Sequence, residues 1–138
     1  MKNILKKCVG FISVATLTIA LSTVAFASSY QLFFYFEHEL KGPTRYFDGQ
    51  NIAFESTPST YPSEKHPNAK PTDNLYTATL YRDKGWFVKD EIGTAILNRD
   101  SYGKALWSNI GPGNYYIYFK KEQDRMAVAD DNARMYNY

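Results

Sequence analysis

The run I-G-P-G-N-Y-Y-I-Y-F-K-K at residues 110–121 limits the fold of this chain more than any other stretch. A turn with two glycines and a proline leads directly into a strand-like segment, and strand side chains alternate between two faces. One face carries residues suited to a core: Tyr115, Ile117 and Phe119. The other carries two aromatic residues and a charge: Tyr116, Tyr118 and Lys120. We therefore expect the central strand of a small all-β domain here.

Period-two alternation continues along the chain after residue 27, whereas helical periodicity is weak. Further strands are predicted within 28–40, 51–55, 75–82, 86–88, 92–99, 104–110 and 125–129. Gly, Asp, Asn and Pro residues separate these segments, as turns require. Seven to nine short strands at this spacing are typical of sandwiches and barrels. The predicted fold class is all-β, a small antiparallel β-sandwich formed by residues 28–138 as one domain.

Finer expectations concern the connections and the C-terminal part. Trp86–Val88 is expected to begin a strand, which the charged residues 89–91 then bend. Residues 100–103 are predicted to form a hairpin turn, because glycine tolerates a positive φ. Residues 125–129 are expected to pair back onto the preceding strand. Residues 130–138 are predicted to be an edge strand or a frayed end, and one helical turn is open at 130–135.

Residues 56–74 interrupt the strand pattern. This segment holds four of the six prolines: Pro58, Pro62, Pro67 and Pro71. Proline donates no backbone hydrogen bond and biases the residue before it away from helical geometry. We predict a long, flexible, proline-rich loop without a paired strand. Unstructured loops of this length are usually functional or disordered, and we favour a flexible surface connection over a functional loop.

Residues 1–27 have the pattern of a signal peptide. A basic start that includes Lys2 precedes the apolar run 11–26, and Ala25-Phe26-Ala27 supplies a small-x-small site for cleavage after Ala27. The alternative is a retained membrane anchor, although the apolar run is short for a span of about 20 residues. The sequence therefore predicts a secreted protein, with cell-wall association as a further option, and no stable membrane anchor after cleavage.

Removing this segment changes the charge and the cysteine content. Three of the 16 Lys and Arg residues lie in it, which leaves 13 against 14 Asp and Glu, a net charge near −1. That balance predicts no nucleic-acid partner. The single cysteine, Cys8, also lies in the segment, so disulfides, thiol catalysis and cysteine metal sites are excluded from residues 28–138.

The piece Pro112-Gly113-Asn114-Tyr115-Tyr116-Ile117 resembles the G-x-Y corner of immunoglobulin-like and prealbumin-like sandwich domains. In that corner a tyrosine enters a core strand after a turn and its hydroxyl returns to the backbone. The wider run 76–119 resembles small secreted proteins of Bacillus-type Gram-positive bacteria, many of them uncharacterised. These resemblances imply a sandwich fold and supply no catalytic residue, because a fold does not determine a function.

Glu37-His38-Glu39 is the first candidate for catalysis. In a single strand, Glu37 and Glu39 share one face and His38 points to the other. The carboxylates could serve a small hydrolase as an acid pair, but neighbouring strand positions rarely give glycosidase geometry. We favour the simpler interpretation, in which Glu37 and Glu39 form the solvated end of a strand and His38 lies at the rim of its aromatic face. We predict no catalytic residue and no enzyme, with the hydrolase kept as an alternative.

Metal and cofactor patterns are weak. His38 and His66 are too few for a zinc site. Residues 130–132 lack the spacing of a calcium loop, and Gly111-x-Gly113 precedes a strand and not a helix. No metal and no cofactor are predicted.

Aromatic content is the remaining distinctive feature: twelve Tyr, nine Phe and two Trp. Some of these rings must lie on the surface, where they suit binding. The candidates are Tyr116, Tyr118, Trp86 and Trp107. The predicted function is a secreted, non-enzymatic binding module for a protein or a cell-wall glycan. A secreted toxin or antimicrobial protein is the alternative, which the near-neutral charge disfavours. The plainer explanation is that tyrosines form strands well.

Overall fold

Ten β-strands form residues 28–138, which are the residues described by the computed structural model. They are β1 (Ser29–Phe36), β2 (Glu39–Lys41), β3 (Arg45–Phe47), β4 (Ile52–Ser56), β5 (Ser59–Pro62), β6 (Leu75–Asp83), β7 (Lys89–Asn98), β8 (Gly103–Trp107), β9 (Gly113–Lys120) and β10 (Met126–Asn137). Two antiparallel sheets of five strands each enclose one core. The predicted β-sandwich is confirmed, with ten strands instead of seven to nine. The predicted signal peptide lies outside the described residues.

β9 lies in the middle of the second sheet. The strand order is β2–β9–β6–β7, and β3 pairs with the other end of β9, beside β2. Tyr115, Ile117 and Phe119 are buried in the core between the sheets. The prediction of a central strand with a core face in residues 110–121 is confirmed.

β10 holds the first sheet together. The strand order is β1–β10–β4–β8. β5 pairs with residues 126–129 of β10, and β4 pairs with residues 134–137 of the same strand. The expectation of an edge strand, a frayed end or a helical turn at residues 130–138 is therefore wrong. Residues 125–129 also do not pair back onto β9, since β10 belongs to the opposite sheet.

Aromatic rings fill the space between the sheets. Phe34 of the first sheet stacks on Phe119 of the second, with 4.7 Å between ring centroids. Trp107 also belongs to this core, and its Nε1–H donates to the carbonyl oxygen of Gly93 across the sandwich at 3.2 Å. A Cβ on residue 93 would lie 3.4 Å from the indole ring. The backbone of β7 at residue 93 therefore lies against the tryptophan ring.

The turn before β9 is closed by Tyr115. The Tyr115 hydroxyl lies 2.9 Å from the carbonyl oxygen of Ile110 and 2.7 Å from that of Gly111, so its hydrogen is shared between them. Arg82 donates to the same hydroxyl from Nε at 3.0 Å and also donates to the Ile110 carbonyl. The tyrosine-to-backbone contact expected from the G-x-Y resemblance is confirmed.

β5 lies within segment 56–74, where no paired strand was expected. Ser59–Pro62 pairs with residues 126–129 of β10. The prediction is wrong for these four positions because β5 borders the sheet, and an edge strand tolerates proline.

A buried ion cluster anchors the far end of the same segment. Asp124 Oδ2 accepts hydrogen bonds from Arg99 at 2.6 Å and from the Thr72 amide at 3.1 Å, and Oδ1 accepts one from Lys121 at 2.8 Å. Burial alone would raise the pKa of Asp124, but the hydrogen bonds from Arg99 and Lys121 hold it well below its ordinary value. The carboxylate is therefore charged between two buried cations, and Asp73 reaches Arg99 at 3.1 Å.

Two expected connections differ in the structure. Residues 89–91 do not interrupt the strand, because they pair with β6 as the first residues of β7, and the irregularity in this strand is a β-bulge at Ile92. Residues 99–102 lead from β7 in the second sheet to β8 in the first. The predicted turn at 100–103 is therefore a crossover between sheets and not a hairpin.

Candidate binding site

The β6–β7 hairpin ends in three consecutive apolar side chains that face solvent. Trp86 is 95% exposed and Phe87 is 105% exposed, and more than half of Val88 is exposed as well. These residues do not begin a strand, as the sequence suggested, but form the turn itself. We call Trp86, Phe87 and Val88 the hairpin tip.

The backbone of the hairpin tip adopts a conformation that aromatic residues rarely take. The φ angles are 49° at Trp86 and 62° at Phe87, and the Val88 amide donates to the Gly85 carbonyl at 2.9 Å. Positive φ at both central positions is the signature of a type I′ turn, which favours Asn-Gly. A bulky residue at positive φ is strained, and such strain concentrates at functional sites.

Paired charges surround the hairpin tip. Lys84 forms an ion pair with Asp90 at 2.6 Å, and Asp83 Oδ1 accepts a hydrogen bond from the Gly85 amide at 2.8 Å. The two acids at the base, Asp83 and Asp90, balance the two lysines, Lys84 and Lys89. The tip is therefore an apolar projection on a base without net charge.

A groove of about 310 Å³ adjoins the tip on the outer face of the second sheet. Its lining consists of Lys41, Asp83, Phe87, Val88, Lys89, Tyr116 and Tyr118. Tyr116 stacks on Tyr81 with 5.4 Å between ring centroids. Lys41 Nζ lies 4.4 Å from the Tyr116 ring centroid and Lys89 Nζ lies 4.8 Å from that of Tyr81.

Tyr118 forms one side of this groove and is partly exposed. A hydrogen bond with the Glu39 carboxylate raises the pKa of Tyr118 to about 12, with partial desolvation as a smaller cause. The phenol is protonated at neutral pH, as tyrosines ordinarily are, and donates to the Glu39 carboxylate.

The four aromatic residues singled out from the sequence do not form one patch. Trp86 is exposed at the tip, and Tyr118 is partly exposed in the groove beside it. Tyr116 points outward as its phase predicts, yet it is only 3% exposed, because Tyr81 and Lys41 cover its ring. Trp107 is 7% exposed in the core, so the expectation of a surface position is wrong for both Tyr116 and Trp107.

The Glu37 and Glu39 carboxylates do not lie on one continuous strand. The predicted strand 28–40 breaks at residues 37–38, where the chain passes from the first sheet to the second. Glu37 lies 3.5 Å from the hydroxyl of Tyr35 of the first sheet, whereas Glu39 interacts with Tyr118 of the second. The geometry assumed for a carboxylate pair is therefore wrong.

The two histidines are also separate. His38 Nδ1 lies 3.0 Å from the Lys121 carbonyl oxygen, and His66 Nδ1 lies 3.1 Å from the Ser63 hydroxyl. Within residues 28–138, no three His, Cys, Asp or Glu side chains come together as a metal site would require. The same part of the chain contains no helix that could cross a membrane.

Phe87 is the site residue that the sequence reasoning missed. The signal was present in K-G-W-F-V-K, where an apolar triplet follows a glycine and has a lysine on each side. An apolar triplet suggests a strand by propensity. The flanking Lys84 and Lys89 favour a solvent-exposed turn over a buried strand at this position.

Comparisons with known proteins show only distant similarity. No protein-family model matches the chain, and a search of curated proteins gives no significant match. One similar solved structure is the mitogen derived from Yersinia pseudotuberculosis, with 12% identity, 83% of this chain and 86% of that chain covered, and a TM-score of 0.39.

Two further structures align over a similar length. The periplasmic inhibitor of g-type lysozyme from Aeromonas hydrophila has 13% identity over 83% of this chain and 91% of that chain, with a TM-score of 0.43. The CBM36-1 domain of a multidomain xylanase from the hindgut metagenome of Trinervitermes trinervoides has 14% identity over 83% and 88%, also at 0.43. Similarity at this level supports no inference about function.

Proposed function

We propose that this protein is a secreted, non-enzymatic binding module that holds a protein partner through its hairpin tip. The observation that carries the proposal is the exposure of Trp86 and Phe87 in a strained turn. Two fully exposed aromatic rings at unfavourable φ angles lower stability without contributing to the core. A binding role explains why the chain keeps them. Secretion rests on the predicted signal peptide.

The arrangement around the tip resembles the centre of a protein interface. Binding energy in such interfaces concentrates in a few aromatic anchors, with Trp prominent, inside a polar rim. Here the rim is supplied by Lys84, Asp90 and the groove that contains Tyr118. The turn also fixes the backbone that carries both rings before binding, which lowers the backbone entropy lost on association.

Charge argues against an anionic membrane as the target. Adsorption to anionic lipid gains about 1 kcal/mol for each Lys or Arg near the surface. At the base of the tip, Lys84 and Lys89 are matched by Asp83 and Asp90. The toxin alternative, which needs that attraction, is therefore the weaker one.

Retention on intact cells tests the proposal. Labelled protein is incubated with cells of candidate target species, with and without prior protease treatment of the cells. We expect a saturable component of retention that protease abolishes. Trp86→Ser combined with Phe87→Ser should lower it at least tenfold, since loss of anchor residues costs more than about 1.4 kcal/mol.

Phe33→Ser is the matched control, because Phe33 is 84% exposed on β1, in the other sheet, and makes no part of the tip. This variant should bind as the wild type does. Protease-sensitive retention that survives loss of both tip rings would contradict the proposal. Dye release from anionic vesicles at micromolar protein would favour the toxin alternative instead.

A further inference from the structure

A second, polar pocket of about 570 Å³ lies on the outer face of the first sheet, away from the hairpin tip. Side chains from three strands and two connections meet there: Ser29, Gln31, Glu55, Thr57, Tyr102, Asn132 and Arg134. Its volume falls within the range of ligand-binding pockets, which are usually more apolar than this one. A polar lining of this kind suits a ligand rich in hydroxyl and amide groups.

A β-bulge in β10 builds one wall of the pocket. Leu32 pairs with Ala133 and Phe34 pairs with Asp130, so two residues of β10 oppose one residue of β1. The two residues of β10 at the bulge, Asp131 and Asn132, are both exposed. Bulges often redirect a side chain near a functional site.

The bulge is fixed by Asp130, a buried carboxylate. Its Oδ1 accepts a hydrogen bond from the backbone N–H of Asn132 at 2.8 Å, and its Oδ2 accepts one from the backbone N–H of Thr57 at 2.7 Å. One side chain therefore holds two walls of the pocket in place, the bulge and the β4–β5 connection. Asp130 acts here as a positioning residue.

The charged groups of the pocket bind one another. Glu55 accepts hydrogen bonds from Arg134 at 3.0 Å, from Tyr136 at 2.8 Å and from Tyr102 at 3.1 Å. These bonds lower the pKa of Glu55, with the Tyr136 hydroxyl as the largest cause. The lining therefore carries one paired carboxylate and one paired guanidinium, which favours a neutral ligand.

The side-chain amides of Gln31 and Asn132 have hydrogen-bonding groups available for a ligand. Gln31 Nε2 donates to Asn132 Oδ1 at 3.1 Å, the single side-chain hydrogen bond that either amide makes within residues 28–138. The pair thus presents one carbonyl oxygen and free N–H groups side by side, whichever way the two amides are oriented. That combination is complementary to the N–H and C=O of an N-acetyl group.

We propose that this pocket binds a neutral sugar that carries an N-acetyl group. The Gln31–Asn132 pair holds the acetamido group, and the exposed ring of Tyr102 offers an apolar face to the sugar ring. The site is separate from the hairpin tip, so each can fail without the other.

The test is an NMR titration of the isotope-labelled protein with the β-1,4-linked trimer of N-acetylglucosamine. Cellotriose is the matched probe, since it has the same linkage and no acetamido group. We expect shifts confined to the pocket residues and saturable binding of the acetylated trimer. Binding should be at least tenfold tighter than that of cellotriose, because two hydrogen bonds are lost in the comparison.

Variants separate this site from the tip. Gln31→Ala and Asn132→Ala should each weaken binding of the acetylated trimer about tenfold, while Trp86→Ser leaves it unchanged. Both amides are exposed, and the dispersion of each spectrum verifies that the variant is folded. Equal binding of both trimers, shifts outside the pocket, or an unaffected Asn132→Ala variant would overturn the proposal, as would the absence of saturable binding.

Discussion

Replacing Trp86-Phe87 by Asn-Gly should make the protein more stable. A bulky side chain lowers the stability of the folded state by about 1–2 kcal/mol when its residue lies in the left-handed region. Asn and Gly are the residues preferred at the two central positions of this turn. The glycine offsets about 0.5–1 kcal/mol of this gain, because it gives the unfolded chain more conformational entropy to lose on folding. Both rings are exposed, so no burial is lost. The net gain is therefore about 1–2 kcal/mol, which raises the melting temperature by about 4–8 °C in a domain of this size.

Urea denaturation followed by far-ultraviolet circular dichroism measures this gain, because the midpoint should rise while the slope stays constant. The control is Trp86→Ser with Phe87→Ser, which removes the same rings but keeps a Cβ at both positions. Its stability should stay near that of the wild type, while cell retention falls for both double variants. An Asn-Gly variant no more stable than the wild type would refute the strain argument, and with it the main support for a binding role.

Three further outcomes follow from the buried contacts. Asp124→Asn should lower the free energy of unfolding by about 3–5 kcal/mol, because two buried cations lose their shared carboxylate; urea denaturation measures it. The folded pKa of Asp124 is depressed, so its contribution is complete above its ordinary value of 3.8 and is lost as pH falls below it. Wild-type stability should thus fall below pH 3.8 more steeply than that of Asp124→Asn, and parallel curves would contradict this. Tyr115→Phe should cost about 1–3 kcal/mol in the same assay, and a neutral result would rule out a structural role for its hydroxyl.

The sequence predicted which face of a strand each side chain lies on, but not which neighbouring residues bury it. Alternation placed Tyr115, Ile117 and Phe119 in the core and Tyr116 on the outer face, as the structure has them. Burial of Tyr116 depends on Tyr81, a residue of a neighbouring strand. Periodicity within one strand carries no information about such a partner.

Sheet membership was equally hidden. Residues 130–138 were expected to be an edge strand or a frayed end, because a bulge at residues 131–132 breaks the alternation. That irregularity places Asn132 in the polar pocket, so the local failure of the pattern coincides with a candidate site. Likewise, the buried ion cluster could not be predicted from residue spacing, because the folded chain brings Arg99 to Lys121 and Asp124.

The central place of β10 has a consequence for how the chain folds during synthesis. β1, β4 and β5 each take β10 as a partner, and its pairing with β1 joins residues about a hundred positions apart. Contacts of such sequence separation form slowly, because a long loop must close first. A chain that emerges N-terminus first therefore presents an unpaired, phenylalanine-rich β1 until residues 126–137 have followed. During that interval the segment depends on other protection against aggregation, such as a chaperone that binds extended apolar strands.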